Sequence, residues 1–96
     1  MNVGVCKITL RLPENHSLKG KRRVINSISS RLRSKFNVSV AEVDHNEAWQ
    51  LTTLGISCVS NSSRHTDEVL QSVLAYIEGS REDLEVVAFE QDTIPF

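Results

Sequence analysis

Aromatic side chains are scarce in this 96-residue chain, which has three Phe, one Tyr and one Trp. That excludes a sheet paved with aromatic rings, the surface on which four-stranded RNA-recognition sheets stack bases. Cysteine is scarce too. Cys6 and Cys58 have no CxxC spacing, and two thiols alone cannot complete a zinc site. Both fall in apolar strand patterns and are read as buried, reduced thiols, with no disulfide. No Ser or Cys has a base at a recognisable spacing, so nucleophilic catalysis has no support. There is no repeat and no low-complexity stretch. No apolar run reaches the 18 or so residues of a membrane-spanning helix, so no membrane partner is expected. The opening MNVGVCKITLRLP has no charged lead before an apolar stretch and is not read as a signal peptide, so a cytoplasmic location is expected.

Acid is nearly missing from the first third of the chain. Lys7, Arg11, Lys19, Lys21, Arg22, Arg23, Arg31, Arg33 and Lys35 face a single acid there, Glu14. Beyond Phe36 the balance inverts, and only Arg64 and Arg81 oppose the remaining Asp and Glu. A net charge of −1 therefore conceals a strongly dipolar chain. The basic block is the better clue to a partner.

The length suits one domain spanning 1–96. A chain this size buries only about 60–65% of its unfolded surface, so dimerisation would help it. Residues 3–12 alternate, with Cys6, Ile8, Leu10 and Leu12 on one face. That period of two predicts a half-buried strand, which Pro13 ends. Ser17 is the expected cap of a helix whose apolar stripe is Leu18, Val24, Ile25, Ile28, Leu32 and Phe36. Seven cations lie off that stripe in this reading. Asn37 is expected to close the helix in a left-handed conformation. Val38–Val43 and Trp49–Ser60 read as strands. A second helix follows an N-cap in Asn61-Ser62-Ser63, carries Val69, Leu70, Val73, Leu74 and Ile77 inward, and stops at Gly79. Leu84–Phe89 reads as the last strand, and 90–96 as a tail.

The order βαββαβ predicts a ferredoxin-like α+β sandwich, with two helices on one face of a four-stranded antiparallel sheet. The other sheet face, carrying Lys7, Thr9, Arg11, Thr53, Ser57 and either Trp49 or Leu51, stays open unless something covers it, and suits a dimer contact or a ligand.

Several stretches carry a resemblance. They are Leu12-Pro13 with Ser17-Leu18-Lys19-Gly20-Lys21-Arg22-Arg23, the segment Arg31 to Val43 (RLRSKFNVSVAEV), Trp49-Gln50, and Leu54-Gly55-Ile56. As a set they resemble the YlxP-like bacterial domain of unknown function, over residues 3 to 92. The resemblance implies a ferredoxin-like fold. In many bacteria its members are encoded between a translation initiation factor and the ribosome-binding factor A. That neighbourhood implies ribosome assembly or translation, without an activity or catalytic residues.

Three constellations are candidates. Lys19, Lys21, Arg22, Arg23, Arg31, Arg33 and Lys35 are candidate nucleic-acid contacts, each neutralising a phosphate on an RNA backbone. The competing reading is a solvated helix face whose cations pair with the downstream acids. Second, Asn15, His16, Ser17, Lys19, Gly20 and Lys21 surround a helix N-terminus, a natural anion site. Acylphosphatases share this fold and loop position, but their glycine-rich loop is replaced here by Pro13-Glu14-Asn15, and Glu14 repels anions. Third, Glu42, Asp44, His45 and Glu47 offer metal-ligand chemistry, against the plainer reading of a polar hairpin turn. His16 and His65 are read as exposed. Trp49 is read as a core or dimer residue.

The expectation is a non-enzymatic homodimer without cofactor or metal, binding ribosomal RNA or a ribosomal subunit through its first helix. The alternative is a protein-interaction or small-molecule-sensing homodimer with no nucleic-acid role.

Overall fold

A computed structural model describes Met1–Phe96. The elements are β1 (Asn2–Arg11), α1 (Leu18–Lys35), β2 (Ser39–Asp44), β3 (Leu51–Ser60), α2 (Ser63–Ser80) and β4 (Glu85–Pro95). The sheet order is β2-β3-β1-β4, and every neighbouring pair is antiparallel. This is the ferredoxin-like α+β sandwich expected from the periodicities.

The inward residues of β1, Cys6, Ile8 and Leu10, meet Leu54, Ile56 and Cys58 of β3 under the helices. From above, α1 contributes Ile25, Ile28 and Leu32, and α2 contributes Leu70, Val73 and Ile77. Burying such aliphatic side chains is worth about 1.5–3 kcal/mol each, so this cluster is what holds the helices on the sheet. Ser17 Oγ accepts from Gly20 N at 2.9 Å and Ser62 Oγ accepts from His65 N at 3.3 Å, so both helices start at serine caps.

Four local expectations change. Gly79 lies inside α2, which runs one residue further. Asn37 is not left-handed, since α1 closes through an extended Phe36 and the one non-glycine residue with positive φ is His45, at 61°. Residues 90–95 are not a tail. They continue β4 beside β1, pairing Asn2 with Pro95, because Gln91 and Thr93 reach hydrogen-bond partners on α2. Trp49 precedes β3 and is 55% exposed, so it is not a core residue.

The sheet face away from the helices is uncovered. Val43, Val59 and Ile94 are exposed there, and a shallow groove of about 340 Å³ runs over Gly55 and Ser57. No helix is long and apolar enough to cross a membrane.

Candidate nucleic-acid interface

Lys21 is the residue that differs most from its sequence reading. At 100° per residue it falls within about 40° of Ile25, Ile28 and Leu32, in the middle of the buried stripe. Its side chain is fully buried. The ammonium donates to the carbonyl oxygens of His45 at 2.8 Å, Asn46 at 3.2 Å and Leu51 at 3.3 Å, and lies 3.0 Å from Glu42 Oε2. An ammonium has three protons, so nothing is left for a phosphate. Lys21 is therefore removed from the candidate contacts.

Glu42 is accounted for by the same network. Its Oε2 also accepts from the buried Thr52 hydroxyl at 2.6 Å. The β2 register shift between Glu42 and Asp44 turns the Asp44 carboxylate outward, away from Glu42. The two acids do not converge, and the stretch 42–47 is a hairpin closed by Lys21 rather than a metal cluster.

The loop between β1 and α1 is latched onto the same hairpin. Leu12 N donates to Gln50 O at 2.9 Å. Gln50 Nε2 donates back to the carbonyls of Pro13 and Asn15 at 3.2 and 3.0 Å. Asn15 Nδ2 donates to Ser17 O and to Trp49 O. The Asn15 side-chain oxygen Oδ1 thus lies where a Cβ on Gly20 would collide with it. Gly20 is required by this close approach, not by an anion. Asn15, Ser17, Gly20 and Lys21 are engaged in this latch, while His16 and Lys19 stay exposed.

The other six cations of α1 are exposed, and among the ion pairs none uses them. Three of the downstream acids pair with other cations: Glu85 with Arg11, Glu68 with Arg64, and Asp83 with Arg81. In the last of these, two 2.7 Å hydrogen bonds from the guanidinium hold the Asp83 carboxyl below its usual range. Pairing within the chain therefore does not explain the basic helix.

The six do not form one patch. Helical geometry puts Lys19, Arg22, Arg23 and Arg33 within a sector of roughly 100°, with Arg31 and Lys35 on the opposite shoulder. Arg33 leans toward the edge strand, donating from Nη2 to Val40 O at 2.9 Å. Lys35 leans toward α2, with its ammonium 5.5 Å from the Tyr76 ring centre. Arg22 and Arg23 carry no such contact.

The buried thiols are inert by environment. Burial, then the neighbouring Cys58, pushes the Cys6 thiol up to about 11, and burial raises Cys58 as well.

The fold and the lysine-closed hairpin define a ferredoxin-like α+β domain with an open sheet face and an unpaired basic helix. The family model described as "Protein of unknown function (DUF503)" matches residues 3–91, and the chain belongs to that family. It is also 47% identical over 62 residues to the Uncharacterized protein YlxP of Bacillus subtilis (strain 168), a match covering 65% of this chain and 67% of that one. Some of the residues that carried the resemblance, Lys21, Glu42 and Gln50 among them, help lock the β1–α1 loop and the start of α1 to the β2–β3 hairpin.

Proposed function

We propose that this protein is a non-enzymatic RNA- or ribosome-associated accessory factor that binds through the exposed cations of α1. The observation that carries this reading is that Lys19, Arg22 and Arg23 are solvent-exposed on a rigid helix and have no carboxylate partner. Unpaired cations held on one sector are suited to a phosphate backbone, where each contact releases a condensed counterion. Arg33 adds to the same side, and Arg31 and Lys35 would engage a second strand or a neighbouring segment.

Filter binding to ribosomal RNA across a salt series tests this. Three to four phosphate contacts predict a log–log slope of about −3. A slope near zero, or no binding at low salt, contradicts it.

A second reading has its own support. The exposed Val43, Val59 and Ile94 beside the groove over Gly55 suit a homodimer through the open sheet face. Sedimentation equilibrium tests it, and a monomer at all concentrations would end it.

A further inference from the structure

Trp49 is the sole tryptophan of the chain, and the residue is 55% exposed. An indole is usually well buried, because it carries a large apolar area. The one aromatic pair is Phe36 with Tyr76, and the one cation–π contact is Lys35 with Tyr76, so both faces of the Trp49 ring lack an aromatic or cationic partner.

The backbone that carries this ring is not a loose loop tip. Trp49 O accepts from Asn15, and the residues around it are held by Lys21 through the carbonyls of His45, Asn46 and Leu51. Gln50 closes the other side against Pro13 and Asn15. Every one of these bonds runs to the first turn of α1 or to the loop before it. The Trp49 backbone is thus held beside the first turn of α1, at the end of the helix that bears Lys19, Arg22 and Arg23. An exposed ring on a firmly held backbone, near a helix end with unpaired cations, suits the stacking of an unpaired base whose phosphates are neutralised.

We infer that Trp49 is a stacking platform for an unpaired base of RNA, next to the phosphate contacts of the N-terminal half of α1. The inference rests on the proposed RNA reading and narrows it. The preferred ligand is a single-stranded segment, loop or bulge, rather than a continuous duplex. It also distinguishes two roles within one surface, in which the helix supplies salt-dependent affinity and the indole supplies preference for unstacked bases.

A single tryptophan makes the test direct, since all indole fluorescence comes from Trp49. The full chain is titrated with fluorescently labelled oligoadenylate and with an RNA duplex of equal length. Label anisotropy reads binding and indole emission reads stacking. The expected result is saturable quenching by the single strand in step with anisotropy. Trp49→Ala should weaken single-strand binding about tenfold or more and leave duplex binding little changed, with Trp49→Phe retaining most of the affinity. Circular dichroism should show both variants folded. RNA binding with unmoved emission and an unaltered Trp49→Ala affinity overturns the stacking role and leaves the basic-helix reading standing. Absence of any RNA binding at low salt overturns both. Conversion of an oligomer to a monomer by Trp49→Ala assigns the indole to self-contact and overturns the stacking role.

Discussion

Lys21 Nζ and Glu42 Oε2 sit 3.0 Å apart beneath the first turn of α1, where the lysine side chain is 1% exposed and the glutamate 16%. The pair joins the first helix to the edge strand β2, and three backbone carbonyls complete the shell of the ammonium. A buried charge of this kind stays only because every proton has an acceptor.

Lys21→Met should therefore act on stability, not on ligand binding. It leaves Glu42 without its partner and three carbonyls without their donor. The expected loss is about 2–4 kcal/mol, read as a lower urea midpoint. Glu42→Gln keeps the shape and an acceptor and should cost less. A Lys21→Met protein as stable as the wild type would remove the network from the account of the fold.

The two helical glycines should respond in opposite directions to alanine. At Gly20 a Cβ meets the side-chain oxygen Oδ1 of Asn15, whose amide group is held in place by the two hydrogen bonds that its Nδ2 donates. Gly20→Ala should lower stability by about 1 kcal/mol or more, despite the gain in helix propensity. An Asn15→Ala background should relieve most of that loss. At Gly79 nothing lies within 4 Å, so Gly79→Ala should raise stability by about 0.5–1 kcal/mol. Thermal unfolding of the variants decides both.

The thiols give a pH dependence. An unfolded thiol ionises near 9.0, while native Cys6 holds its proton up to about 11. Between those values the unfolded chain has lost a proton that the native chain keeps, so stability falls as pH rises. Below 9.0 both states are protonated, and Cys6 adds no slope. Cys6→Ala should flatten the alkaline limb of a stability–pH curve. A thiol reagent at neutral pH should label the native protein only at the rate of global opening. Rapid labelling would contradict the burial of both cysteines.

The fold was legible because its strands and helices follow clean periods. Cys6, Ile8 and Leu10 alternate, and Val69, Leu70, Val73 and Ile77 repeat at helical spacing. The site was less so. Lys21 stands at i, i+4, i+7 and i+11 with Ile25, Ile28 and Leu32, so the spacing already placed it inward. Its charge obscured that, since a buried lysine requires partners that only the folded hairpin supplies. The end of β4 was hidden for the converse reason. Gln91 and Thr93 point to α2 through hydrogen bonds rather than apolar contact, so the strand shows no hydrophobic alternation. Trp49 looked buried by residue type, but its place before β3, with its backbone latched to Asn15, leaves it exposed.

Co-sedimentation with ribosomal subunits across a salt series, comparing wild type with Arg22→Glu/Arg23→Glu, tests the proposed contact between RNA and the exposed cations of α1. Both positions are exposed, so the double variant should stay folded within about 1 kcal/mol of the wild type. The account predicts saturable binding by the wild type that weakens as salt rises, and a loss of about 100-fold or more in the variant. Equal binding by a folded variant, or no binding by the wild type at low salt, would contradict it.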